Sequence, residues 1–213
     1  MATDKNLILN MPFDDPDGYG KAFDYSANRA DGILSGGAFL SRNAKQGKAL
    51  DLNGSGECQT TQIIPFSSDF TICMWIKPTT KEIGWMLNYT GVDNYHDKWV
   101  DVIPNEWIYL SFVKRNSLFV SSIDGVEIER ITVSGNIIGF SINDSNVSIC
   151  NASIDSFKMF SSAKTHGEIL NLMANSHDVE YFIDGTNIKE MGVYVSKSTG
   201  IIGGLERKES LSV

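Results

Sequence analysis

The stretch Asp69–Pro78, DFTICMWIKP, decides the fold. Phe70, Ile72, Met74 and Ile76 alternate with Thr71, Cys73, Trp75 and Lys77. Successive side chains of a strand point to opposite faces. A period of two, carried by β-branched and aromatic residues, therefore predicts a strand with one strongly buried face. Pro78 has no N–H to give to a ladder and marks the expected end of that strand. Shorter strand signals lie on both sides. Leu7–Met11, Lys48–Asn53 and Glu57–Ile64 precede it; Ile83–Thr90, Trp99–Ile103 and Trp107–Lys114 follow. Leu118–Ile123 then faces Val126–Val133 across Asp124-Gly125, the dipeptide that two-residue hairpin turns favour. With Asn136–Ile142, Asn146–Cys150 and Ser153–Phe160, strand signals recur every ~8–12 residues, which predicts an all-β sandwich. Tyr25–Gly37 and Val92–Lys98 are polar and read as loops.

One helix interrupts this pattern. Thr165 and Glu168 have the spacing of a capping box, in which each side chain satisfies a backbone N–H of the other residue. Ile169, Leu172 and Met173 follow at helical spacing, predicting a helix from about His166 to Asn175.

A chain of 213 residues accommodates one large all-β unit and an appendage. We expect a sandwich over 1–177 and a separate extension over 178–213. Hydrophobic residues make up 42% of the chain, enough for a packed core. The net charge of −8 argues against nucleic acid and anionic membrane as partners, since both call for a basic footprint. The first residues lack a basic segment leading into an apolar one, and no stretch approaches ~18 apolar residues. Neither a signal peptide nor a membrane span is expected. Cys58, Cys73 and Cys150 form an odd set without short spacing, which favours free buried thiols over disulfides or zinc.

Seven blocks follow one another in order: NLILNMPFDD from Asn6, SANRADG from Ser26, GKALDLNGSGE from Gly47, DFTICMWIKP from Asp69, NEWIYLSFVKR from Asn105, IDGVEI from Ile123 and IDSFKMF from Ile154. Together they resemble the laminin-G-like branch of the concanavalin A-like lectin/glucanase superfamily over residues 6–175. The resemblance implies a jelly-roll sandwich of two curved antiparallel sheets. Two departures stand out: the hairpin reads Val120-Ser-Ser-Ile-Asp124-Gly125, and Ser156 replaces the second Asp of the family's "iDd". The segment from Gly192, GVYVSKSTGIIGGLERKESLSV, resembles parts of virion proteins of Bacteroides-infecting, crAss-like phages.

These resemblances set the functional expectations. Glucanases of the superfamily carry acidic residues in an E-x-D-x-x-E pattern, and retaining hydrolysis needs two carboxyls ~5–5.5 Å apart. Glu127-Ile128-Glu129 is the nearest approach, and the middle Asp and third Glu are missing. We therefore expect no enzyme and no catalytic residue. Laminin-G-like domains often hold a structural calcium; the positions that carry over are Asp14 and Asp155, which otherwise begin a turn and end a strand. Asp93, His96 and Asp97 read as a solvated loop rather than a metal cluster. Sugar binding calls for aromatic faces beside polar groups, and Trp85, Tyr89, Tyr95 and Trp99 supply the aromatic-rich region, with core packing the alternative for Trp85 and Trp99. Trp75 and Trp107 read as core. In the extension, Val193, Tyr194, Val195, Ile201, Ile202 and Leu205 are apolar or strand-forming in a segment too short for a core of its own. Such a segment is suited to adding a strand to a partner's sheet, with folding back on its own sandwich as the alternative.

The expected protein is thus a non-enzymatic, lectin-like virion component, assembled in the host cytoplasm without a signal peptide. It would contact other virion proteins or its own subunits through the extension, and surface glycans through the sandwich. The rival readings are a structural module without ligand and, third, a glucanase.

Overall fold

The computed structural model describes residues 4–15, 20–64, 66, 68–90, 95–144 and 151–176. In chain order the elements are β1 (Leu7–Met11), β2 (Lys21–Ala22), β3 (Gly32–Ser35), β4 (Phe39–Ser41), β5 (Ala49–Asp51), β6 (Glu57–Thr60) and β7 (Phe70–Pro78). There follow β8 (Glu82–Tyr89), β9 (Tyr95–Asp101), β10 (Ile108–Arg115), β11 (Leu118–Ile123), β12 (Val126–Thr132), β13 (Ile137–Asp144), β14 (Ala152–Phe160) and α1 (His166–Ala174). The DFTICMWIKP stretch is β7, with Pro78 as its last residue. The chain is an all-β sandwich.

The large sheet runs β12-β11-β10-β7-β14-β5-β4, and β1 also pairs with β14. The opposing layer is divided into two three-stranded sheets, β13-β8-β9 and β2-β3-β6, where a single second sheet was expected. All strand pairs are antiparallel. The β11–β12 hairpin turns at Asp124 and Gly125, whose φ angles of 50° and 78° are what such a turn requires.

Alternation fills the core. Phe70, Ile72, Met74 and Ile76 of β7 join Leu110 and Phe112 of β10 and Phe119 of β11 against Ile83, Trp85 and Leu87 of β8. Phe112 stands at the junction of the layers, its ring centroid 5.3 Å from that of Trp85 and 4.7 Å from that of Phe140. Met11, Ala22, Ala30 and Leu50 extend the same core beneath the β2-β3-β6 sheet. The opposite face of β7 is covered as well. Cys73, Trp75, Tyr109 and Phe160 pack with Ile169 of α1, and Trp75 Nε1 donates to Ser176 Oγ at 2.8 Å. The helix carries the predicted capping box between Thr165 and Glu168. Trp107, expected in the core, precedes β10 and is half-buried beside this second cluster.

Two stretches read as loops contain strands. Gly32–Ser35 is β3, held against β6, and 95–101 is the single strand β9, held against β8. A buried carboxylate orders the polar residues 25–31 around the single core residue among them, Ala30. Asp24, fully buried, accepts from the backbone N–H groups of Asn10, Ser26 and Ala30 and from Ser26 Oγ. Asn28 Nδ2 ties the same loop to Ile8 O at 2.8 Å. Cys58 and Cys73 are free, Cys73 buried and Cys58 half-buried, and burial pushes the Cys58 thiol up to about 11. Cys150, the strand expected at Asn146–Cys150 and the extension from 178 onward, including Val193, Tyr194, Val195, Ile201, Ile202 and Leu205, lie outside the described residues.

Truncating Phe112 removes a ring that touches both layers. Phe112→Ala is expected to cost about 3–5 kcal/mol in urea unfolding, the usual range for a buried aromatic. An unchanged midpoint would mean that the layers do not meet at this residue.

Candidate ligand-binding face

Strand alternation divides the aromatic region that the sequence groups together. Residues opposite one another in adjacent strands share a face. In the β8–β9 ladder the pairs are Gly84 with Trp99, Met86 with Asp97, and Asn88 with Tyr95. The offset pairs are Ile83 with Val100, Trp85 with Lys98, and Leu87 with His96. Ile83, Trp85 and Leu87 are buried in the core, so the first set points outward. Trp85 is 1% exposed and Tyr89 packs against the same core, which removes both from a binding surface. Tyr95 is 50% exposed, and Trp99 is half-buried on the outer face.

Gly84 explains the pose of Trp99. A Cβ at position 84 would lie 2.6 Å from two atoms of the Trp99 ring. The indole therefore rests flat on backbone that no other residue would leave open. Asp97 Oδ2 accepts from Trp99 Nε1 at 3.2 Å and holds it there. Across β8, the outer row continues to Ser141 and Gly139 of β13. The result is an aromatic face with amide, hydroxyl and carboxylate groups beside it. Tyr95 and Trp99 are four residues apart on one strand, about 13 Å at ~3.3 Å per residue.

The other sequence candidates are placed differently. His96 points away from Asp97 and meets Glu129 of β12, with Nε2 3.0 Å from Oε2. This contact links the edge of the small sheet to the edge of the large one. Asp93 is outside the described residues. Glu127 and Glu129 do not act as a pair. A register shift at Ser121/Ser122 separates them, and Glu127 is held by Arg130 while Glu129 faces His96.

Asp14 and Asp155 do come together. Asp155, fully buried, accepts from the backbone N–H groups of Lys45 and Gln46 at 3.0 and 3.1 Å, and from Ser156 Oγ at 3.2 Å. Asp14 accepts from Lys48 N–H at 2.8 Å and lies against Gly47. Burial first, and Asp14 in part, push the Asp155 carboxyl up from 3.8 to about 7. Phe13 and Ser156, the neighbours of the two carboxylates, both have positive φ, 65° and 53°. Calcium asks for six to eight oxygens. Among the described residues no three His, Cys, Asp or Glu side chains gather, and amide hydrogens already point at these carboxylates. The carboxylates act as clamps on the 45–48 loop.

No protein-family model matches the chain, and no curated protein matches it in sequence. Solved structures share its fold. The binding domain of Paraclostridial Mosquitocidal Protein 1 aligns at TM-score 0.59 and 16% identity, over 78% of this chain and 51% of that one. The binding domain of botulinum neurotoxin DC, in complex with rat synaptotagmin II, aligns at 0.59 and 14%, over 84% and 54%. Domain 4 of AbnA, a GH43 extracellular arabinanase from Geobacillus stearothermophilus, in complex with arabinotriose, aligns at 0.55 and 20%, over 78% and 98%. The chain thus spans about half the length of the toxin binding domains and nearly all of the arabinanase domain. At these identities the likeness is one of fold.

The first part of β9, 95–98, and the Gly84 cradle were not evident from the sequence, which marks a strand only from Trp99. Tyr95, Asp97 and Trp99 do alternate with His96, Lys98 and Val100, but the polar content of 92–98 masks that period.

Two outcomes are expected. Gly84→Ala pushes the Trp99 indole off the sheet, so the Trp99 indole N–H resonance shifts while the fold is kept; an unmoved resonance would refute the cradle. Asp155, with its folded pKa raised above the unfolded 3.8, holds its proton more tightly when folded. Its contribution is therefore greatest below about 4 and is lost as pH rises through about 7. Relative to Asp155→Asn, the wild type should lose stability across that window. Parallel unfolding curves at all pH values would contradict this.

Proposed function

We propose that the chain is a non-enzymatic binding module that takes glycans on the outer face of β8 and β9. The observation that carries this reading is Trp99, laid flat over Gly84 in line with Tyr95, on a sheet face whose other aromatics turn inward. Sugar rings stack on such surfaces while Asn88 and Asp97 bond hydroxyls. Neighbours of the same fold are binding domains, and one of them is in complex with arabinotriose. The ordered blocks of the sequence support a laminin-G-like, concanavalin A-like lectin module. The segment from Gly192 supports a virion component, assembled in the host cytoplasm and joined to other virion proteins or its own subunits through 178–213.

The experiment is glycan-array screening followed by titration of Tyr95→Ala and Trp99→Ala. Each variant should bind at least tenfold more weakly, a loss of about 1.4 kcal/mol, with little change in melting temperature. Wild type and both variants binding alike would remove the face from consideration. An array without any hit would favour the ligand-free structural module. The engagement of Glu127 by Arg130 and of Glu129 by His96 supports the absence of glucanase chemistry. Laminarin and lichenan should release no reducing ends; release that disappears in Glu127→Gln would make the protein a hydrolase.

A further inference from the structure

The alternation that exposes Tyr95 and Trp99 also sorts charge. Glu82 pairs with Asp101 and Met86 with Asp97, so three carboxylates share the outer face with the aromatic pair. All three are exposed. His96 and Lys98 fall on the opposite side, in register with Leu87 and Trp85, and His96 is directed to Glu129. The outer-facing described positions of β8, β9 and β13 hold no Lys or Arg; Lys98 of β9 is on the opposite side and Lys81 lies before β8.

From this, and resting on the glycan-binding reading above, we infer that the face selects uncharged glycans and rejects acidic ones. A uronate or sialic acid laid along β9 would bring its carboxylate beside Asp97 and toward Glu82 or Asp101, with no Lys or Arg at a described outer-facing position of β8, β9 or β13 to offset the repulsion. Like charges in contact suppress a wrong partner more effectively than they strengthen a right one. An uncharged chain has hydroxyls that donate to Asp97 and ring faces for Tyr95 and Trp99. Asp97 already accepts from Trp99 Nε1, so charge and stacking surface are coupled in one residue pair. Salt screens contacts of this kind, so rejection should weaken as ionic strength rises.

The test uses the full chain against two polymer panels, arabinan, dextran and barley β-glucan on one side, polygalacturonate, alginate and hyaluronate on the other. Binding is measured at low and high salt with wild type, Trp99→Ala and the double variant Glu82→Gln/Asp101→Asn. The expected result is binding to an uncharged polymer, at least tenfold weaker binding to every acidic one, and loss of the former in Trp99→Ala. The double variant should gain on the acidic panel at low salt and stay level on the uncharged panel. An acidic polymer bound as tightly as any uncharged one, yet lost in Trp99→Ala, would overturn the selectivity and leave the binding face standing. No binding to either panel, or binding indifferent to Trp99→Ala, would overturn both.

Discussion

The structure depends on the contact of two sheet faces at Phe112. Its ring meets Trp85 and Phe140 from the small sheet and Phe119 from its own. A sheet has one pleat, so fixing which side of β8 faces Phe112 fixes every other residue of that sheet. Trp85 must be inside, hence Gly84 outside, hence Trp99 of the neighbouring strand outside too. The candidate binding face is in this sense the back of the core. With β8 held by Phe112, a slip of one residue in the β8–β9 register would turn Asp97 and Trp99 toward the core, at a cost that the packed core does not permit.

Where hydrophobic burial is thin, carboxylates take its place. Asp24 orders a polar loop by accepting four hydrogen bonds, and Asp155 holds the 45–48 loop by two backbone N–H groups. Asp155 also has Asp14 near it, and burial together with that neighbour keeps its proton on to about pH 7. The positive φ of Ser156 and the register shift between Asp155 and Lys158 are the local geometry that turns this carboxylate toward the loop. Backbone held in sparsely populated regions persists only where its surroundings over-determine it, and the amide bonds to Asp155 are part of that restraint.

The sequence by itself determined the class of fold. Period-two alternation at 70–77, the Asp-Gly turn and the capping box at Thr165 are local signals, and each appears in the structure where the chain places it. It also determined that Glu127 and Glu129 lack the companions a glucanase needs. Tertiary structure decided the rest. The first part of β9, 95–98, is too polar for its period to be read alone, because one of its faces is solvated and the other carries His96 and Lys98; its pairing with β8 makes it a strand. Trp85 and Trp99 are equally aromatic in the sequence, and only the register of that pairing sends one into the core and lays the other on Gly84. Asp14 and Asp155 are far apart in the chain, and only the pairing of β1 with β14 brings them together. Local pattern reports which residues can share a face; which face meets the other sheet is a property of the packed core.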